Sequence, residues 1–262
     1  MHRPYFCIIP LNVSKISLAV ITHNSQATLA AALDSARGWI QDIVLVDDHS
    51  TDGTLAIARS SGARVFTRAL VSCAAQKQYA LDQASNDWVF LLDSDESCSE
   101  ALKDEILKAV EGTDGPSAYR VPRRNHYFGR WLAHGGKYPD YQVRVFRRSK
   151  VRYSDHFSHE KVIVSGDTGT LKGWIDHQAY PDLDTWWMKA RRTAEFDALE
   201  WRRRGISPSL PAFIRFCLAR PAWRFLSKYV VKLGFLDGVP GLLAALHDVL
   251  TQVLTYHILS GK

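Results

Sequence analysis

Three short apolar runs, residues 17–22, 43–47 and 88–92, constrain this chain most, because each is continuous rather than alternating. A strand with one wet face alternates polar and apolar side chains, so an unbroken run reads as a strand buried on both faces, the signature of a parallel sheet. The stretches between them read as helices. Residues 27–39 carry apolar side chains at helical spacing behind a cap at Asn24 or Ser25, and residues 54–60 and 74–84 repeat the pattern. Alternating strands and helices predict an α/β sheet with right-handed crossovers. A further helix is predicted over 100–110, ending at the loop 112–116. After it come short strand candidates at 119–124, 141–148 and 161–164. From Asp184 onward the chain reads as helical, cut by Gly205, Pro208, Pro211, Pro221, Gly238 and Pro240 into four pieces.

Two of the apolar runs end in carboxylates. The third leads into Asp93, Ser94, Asp95 and Glu96, at the carboxyl end of a buried strand, where open α/β sheets bind ligands. Two Asp one residue apart can meet a hard divalent cation whose other positions take diphosphate oxygens. The plainer alternative is local, since Asp95 or Ser99 can cap the helix that follows. The second run ends in Asp47 and Asp48 ahead of Ser50, Asp52 and Gly53. A carboxylate there can accept hydrogen bonds from a ribose or base, or merely close a turn before a helix at Thr54.

These two blocks, Val46-Asp47-Asp48-His49-Ser50-Thr51-Asp52-Gly53-Thr54 and Leu92-Asp93-Ser94-Asp95-Glu96, resemble the family 2 inverting glycosyltransferases of the GT-A fold. Further blocks follow in that family's order: Gln76-Lys77-Gln78, Pro122-Arg123-Arg124, Tyr138-Pro139-Asp140-Tyr141, Arg144-Val145-Phe146-Arg147-Arg148, His159-Glu160 and Gly234-Phe235-Leu236-Asp237-Gly238. With them the chain is similar to the lipopolysaccharide core β-1,4-glucosyltransferases, which add glucose to inner-core heptose. Two places depart from the family pattern: Ser25-Gln26 stand where it has an acidic pair, and residues 71–75 replace a Gly-rich approach to Gln76.

The resemblance implies a Rossmann-like GT-A sheet with a helical C-terminal appendage. It divides the chain into a leader, 1–15, a catalytic domain, 16–183, and a helical membrane-associating region, 184–262. The catalytic domain splits into a nucleotide-binding half, 16–118, and an acceptor half, 119–183. The nucleotide-sugar site implied is Thr22, Asp47, Lys77 and Asp93, and the donor a UDP-sugar. A divalent metal, Mg²⁺ or Mn²⁺, falls to Asp93 and Asp95, with His159 either a third ligand or a hydrogen-bonded structural histidine. Inversion requires one general base, for which Asp140 and Glu160 are the candidates and Asp140 the preferred one. Their plainer roles are a turn for Asp140 and a salt bridge for Glu160.

The formal charge of +6 favours a phosphate-bearing substrate, a nucleic acid or an anionic lipid surface. Arg120, Arg123, Arg124, Arg130, Lys137, Arg144, Arg147, Arg148, Lys150 and Arg152 face the single acid Asp140 between residues 119 and 152. They predict attraction of a phosphorylated acceptor, unless they form an ordinary solvated sheet face. Tyr127, Phe128, Trp131 and Tyr138 in the same stretch suit a sugar-stacking wall. The C-terminal helices mix Trp186, Trp187, Trp201 and Trp223 with Arg202, Arg203, Arg204, Arg215, Arg220, Arg224 and Lys228, a texture suited to a bilayer interface or to plain packing on the catalytic domain. No uninterrupted apolar run reaches about 18 residues, so a membrane span is not expected. The apolar opening at 6–11, interrupted by Pro10 and Asn12, is too short for a signal sequence. Cys7, Cys73, Cys98 and Cys217 form no C-x-x-C pair, which fits a reducing compartment. The partners expected are therefore a nucleotide sugar, a phosphorylated lipid-linked glycan and an anionic membrane surface, at the inner face of the cytoplasmic membrane.

Rival readings fare worse. A nucleotidyltransferase needs a Gly-rich basic loop after the first strand, where this chain has Thr22-His23-Asn24-Ser25, and a dehydrogenase needs G-x-G-x-x-G there. A nucleic-acid binder leaves both acidic strand ends unexplained.

Overall fold

The computed structural model describes residues 15–112, 115–154 and 162–261. The leader through residue 14, His159 and Glu160 lie outside the described residues. The apolar runs form β1 (Ile16–Thr22), β2 (Asp42–Asp47) and, after β3 (Arg64–Thr67), β4 (Trp88–Asp93). β1 pairs in parallel with β2 on one side and β4 on the other, and β3 extends the edge beside β2. Their side chains are buried on both faces: Leu18, Val20, Leu45, Phe90 and Leu92 enter one core, Ala19, Val44, Val46, Val89 and Leu91 the other. Each layer of helix covers one of these faces, as a parallel sheet requires.

Between the strands lie α1 (Leu29–Asp34), α2 (Thr54–Ser60) and α3 (Cys73–Gln83). α1 is shorter than the expected 27–39, because the chain turns through Gly38, whose φ of 83° only glycine adopts easily, and the Trp39 indole donates to the Ser35 carbonyl at 2.9 Å. The Ser72 hydroxyl caps α3 by accepting from Ala75 N. After β4 come β5 (Glu96–Cys98) and α4 (Glu100–Glu111), and Ser99 caps α4 by accepting from Leu102 N.

The second half adds β6 (Ala118–Tyr127), β7 (Arg130–Trp131), β8 (Asp140–Arg147), β9 (Val151–Tyr153), β10 (Val162–Val164), β11 (Thr168–Thr170) and β12 (Ile175–Tyr180). β8 lies antiparallel between β4 and β6, and β12 joins β6 to β5, giving the order β3-β2-β1-β4-β8-β6-β12-β5. This mixed α/β sheet brings β5 and β12 beside the carboxyl end of β4.

The C-terminal region is helical in three stretches rather than four pieces: α5 (Leu183–Arg203), residues 210–231, and Gly238–Leu259. Pro211 and Pro240 sit in first turns, where a missing N–H leaves no bond unmade. Pro221 is buried inside the second stretch without breaking it, because the turn before it, Ile214–Ala219, is wound wider with i→i+5 bonds. Residues 234–259 are long and apolar enough to cross a membrane by length and composition. Nine of the 22 residues of the helix Gly238–Leu259 are buried against the rest of the fold, among them Ala244, Ala245, His247, Thr251, Gln252 and Thr255. Its entry is tight: a Cβ on Gly241 would stand 2.1 Å from the Gly234 carbonyl oxygen.

Candidate active site

A cleft of about 440 Å³ opens over the carboxyl ends of β1 and β4, lined in part by Thr22, Asp48, Lys77, Asp93, Asp95 and His177. Glu96, whose side chain is fully buried, organises its floor. Its Oε1 accepts from Arg144 Nη2 at 2.6 Å and Arg123 Nη1 at 3.0 Å, and its Oε2 accepts from the Asp93 amide at 3.0 Å. Arg144 also donates to Asp93 Oδ2 at 2.6 Å, and Lys77 Nζ lies 3.1 Å from Asp93 Oδ1. Burial alone would raise the Asp93 pKa, but the charges of Arg144 and Lys77 hold it well below the usual carboxylate range. Asp93 is thus an anion matched by fixed cations.

Asp95 faces a different setting. Its Oδ2 lies 3.4 Å from His177 Nε2 and 3.5 Å from Lys189 Nζ. Burial pushes its pKa up, and the His177 hydrogen bond with the charges of His177 and Lys189 outweighs that, leaving it lowered. His177 is oriented from behind: Asn125 Nδ2 donates to Asp140 Oδ2 at 3.1 Å, so Asn125 Oδ1 accepts from His177 Nδ1 at 2.7 Å. With Nδ1 donating, Nε2 faces Asp95, where it donates to the carboxylate when the ring is protonated and offers its lone pair to a cation when the ring is neutral.

A carboxylate oxygen and an imidazole nitrogen held this way, with the other ring nitrogen hydrogen-bonded, fit the donor set of a divalent ion such as Mn²⁺. Among the described residues no three His, Cys, Asp or Glu side chains cluster to hold a metal by themselves. The remaining positions would fall to diphosphate oxygens and water, as is usual for a hard cation.

The residues named from sequence are placed unequally. Thr22, Lys77, Asp93 and Asp95 line the cleft, and the buried Thr22 hydroxyl makes no hydrogen bond among the described residues. Asp47 does not line it. Its carboxylate accepts from Ser50 N at 2.9 Å and from the Ser50 hydroxyl, the satisfied turn that was its plainer reading, and the neighbouring Asp48 stands at the cleft instead. Asp140 lies behind His177, linked through Asn125, and accepts from Arg123 Nη2 at 2.7 Å and Gln142 Nε2 at 2.7 Å. Burial would raise its pKa, but Arg123's charge and the hydrogen bonds from Asn125, Arg123 and Gln142 hold it below the ordinary value. The third metal ligand suggested by sequence, His159, and the second candidate base, Glu160, fall outside the described residues.

Sequence reasoning missed His177, Lys189 and Arg192, the last of which also lines the cleft. Lys189 and Arg192 are three apart on α5 and so share a face, the one usable signal. The basic stretch 119–152 is divided: Arg120, Arg130, Arg148, Lys150 and Arg152 are exposed, and others are committed inward. Arg123 and Arg144 bind Glu96, Arg124 lies between the rings of Trp131 and Trp174, and Arg147 lies over Trp88. Trp131 is thus stacked on Arg124.

The C-terminal helices also hold the loop before Asp140. Asp237 accepts from His134 N at 2.9 Å and lies 2.8 Å from His134 Nδ1, and Asp248 pairs with Lys228 and lies 3.6 Å from Lys137 Nζ.

Comparison with known proteins places this geometry. Residues 17–173 match the family described as Glycosyl transferase family 2. The lipopolysaccharide core biosynthesis glycosyltransferase LpsC of Rhizobium meliloti is 27% identical over 247 residues, 92% of this chain and 90% of that protein. An uncharacterized glycosyltransferase of Rickettsia typhi is 26% identical over 241 residues, 87% of this chain and 81% of the relative. Among solved structures, S. aureus TarS 1–349 in complex with UDP covers 94% of this chain and 90% of its own, at 17% identity and a TM-score of 0.46.

Proposed function

This chain belongs to glycosyl transferase family 2 and is a glycosyltransferase, and on that premise we propose that it moves glucose, with inversion, from a UDP-sugar to an inner-core heptose of lipopolysaccharide or a similar membrane-linked glycan. The observation that carries the reading is the juxtaposition of Asp95 Oδ2 and His177 Nε2 at the mouth of a cleft floored by Asp93 and Lys77. The acceptor class is supported by the similarity to LpsC along nearly the whole of both chains. In this reading the enzyme works at the cytoplasmic face of the membrane, where such an acceptor is anchored.

Asp95 and His177 would hold a Mg²⁺ or Mn²⁺ ion, which when bound neutralises the leaving diphosphate. The chain's own residues supply the rest. Lys77, Lys189 and Arg192 bring positive charge to the wall where the diphosphate develops its negative charge, and fixed charges in a partly dry cleft are effective because they need no reorganisation. Thr22 and Asp48 offer a hydroxyl and a carboxylate to the nucleoside. Asp140, kept ionised by Arg123, takes the acceptor hydroxyl's proton as its oxygen attacks the anomeric carbon. Asn125 holds Asp140 and His177 in register with each other.

The test is a screen of nucleotide sugars with mass detection of the glycosylated product, run with and without chelator. Transfer from a UDP-sugar that stops in excess chelator supports the reading. Undiminished turnover in chelator rejects the metal, and salt-sensitive oligonucleotide binding without transfer rejects the function.

A further inference from the structure

All but Leu70, Val71, Tyr141 and Ile163 of the exposed large apolar side chains among the described residues lie at or after Leu183. They concentrate on the helical stretch 210–231, where Leu210, Ile214, Leu218, Leu226 and Val230 are all about half exposed or more and recur at multiples of four. On an α-helix of 3.6 residues per turn such a row drifts steadily round the axis. Here two turns, Ile214–Ala219 and Leu226–Val231, carry i→i+5 bonds and so hold more residues each, which cancels much of the drift and keeps the row on one side. Trp223, 65% exposed, adds to it.

The charge on this stretch has one sign. No Asp or Glu occurs from residue 201 to residue 236. Arg215 and Arg220 flank Phe216, each with its guanidinium carbon 5.4 Å from the ring centroid, and Arg224 follows one turn on. Lys228 is different, being paired with Asp248. A second copy of this chain would set one row of arginines against another, so self-association through this face is disfavoured. An apolar cavity of about 600 Å³, bordered by Leu210, Phe213, Cys217, Val253 and Tyr256, opens beside the same helix.

We infer that helix 210–231 lies in the plane of an anionic bilayer, with Leu210, Ile214, Leu218, Trp223, Leu226 and Val230 at the headgroup–acyl boundary and Arg215, Arg220 and Arg224 on the lipid phosphates. Apolar burial and basic attraction together give such helices their affinity. The inference rests on the membrane-linked acceptor proposed above for its purpose, though its evidence is the helix itself.

The full chain is sedimented with phosphatidylcholine vesicles, with and without phosphatidylglycerol, in the absence of donor and acceptor. It should pellet with the acidic vesicles at low salt and be released as salt rises. Arg215→Gln/Arg220→Gln/Arg224→Gln should lower the partition on the order of a hundredfold, and Leu218→Asn/Leu226→Asn should lower it with the charge unchanged. A triple variant that pellets as well as the parent, or a parent that ignores acidic vesicles at low salt, overturns the inference. If the Leu double variant fails to fold, fluorescence quenching by brominated lipid decides. Trp223→Phe must lose part of the parent's quenching, and equal quenching overturns the proposal. UDP release with a soluble acceptor is followed in parallel, so loss of transfer alone counts against the glucosyl reading, and loss of vesicle binding alone against this one.

Discussion

Asp93 and Asp95 stand one residue apart and do different things. Asp93 is locked between Arg144 and Lys77, and with Glu96 it forms a buried charge cluster in which every carboxylate has a cation at hydrogen-bond distance. Removing one member of such a cluster leaves an uncompensated buried charge, at a cost of about 3–5 kcal/mol. Arg144→Met should therefore lower the unfolding free energy by about that much in a denaturant titration, and an unchanged midpoint would refute the hub. Asp95 borders the cleft, so Asp95→Ala should leave the denaturant midpoint nearly in place while lowering kcat by about a hundredfold or more. Asp140→Asn should lower kcat by about a hundredfold with UDP affinity, read by calorimetry, unchanged. Near-normal turnover of that variant would remove Asp140 as the base. Asn125→Ala should weaken Mn²⁺ activation by about 10–100-fold, the usual cost of losing the group that orients a metal-binding histidine.

At the scale of elements, the parallel half was legible because β1, β2 and β4 are continuous apolar runs separated by stretches of helical spacing. The second half was less so. β12 carries Asp176, His177 and Gln178 between Ile175 and Ala179; His177 lines the cleft, Asp176 pairs with His126 and the Trp174 indole, and Gln178 is exposed, so no hydrophobic period marks it. β5 has three residues and owes its existence to pairing with β12. The site was legible where strand ends are acidic and illegible where it depends on side chains brought in from β12 and α5. Helix Gly238–Leu259 shows another buried device that no local pattern shows. His247 packs against Tyr180 and Trp186 beside Asp248, Lys137 and Lys228, and burial pushes its pKa down to about 4. A histidine neutral in the fold with an ordinary pKa of 6.5 when unfolded favours the fold above pH 6.5, and this stability is lost as pH falls towards 4. The thermal midpoint should thus fall between pH 7 and pH 5, reflecting about 2 kcal/mol. His247→Gln should flatten that dependence, and an equally steep variant would assign it elsewhere.

At the scale of the whole molecule, the C-terminal helices belong to the catalytic unit as much as the sheet does. α5 leaves the sheet at Tyr180 and returns across the cleft, so that Lys189 Nζ reaches within 3.5 Å of Asp95 and donates to the Ala179 carbonyl, while Arg192 lines the wall three residues on. Neither cation has a carboxylate partner on its own helix among the described ion pairs, whereas Arg191, on the outer face, is satisfied by Glu195. Cations without a local partner that face a cleft suit an anionic ligand. Replacing Lys189 or Arg192 by Met keeps most of the apolar stem and removes only the charge. Each change should raise the donor KM by about tenfold, the equivalent of about 1.4 kcal/mol, and weaken UDP binding in calorimetry by a similar factor, with the thermal midpoint little changed. Arg191→Met is the matched control, since it removes a charge from the same helix turn but from the solvent side. If Arg191→Met raises KM as much as Arg192→Met does, the effect is the helix's diffuse charge and α5 has no specific place in the donor site; if only Lys189 and Arg192 matter, truncating the helices will abolish transfer as surely as removing Asp95.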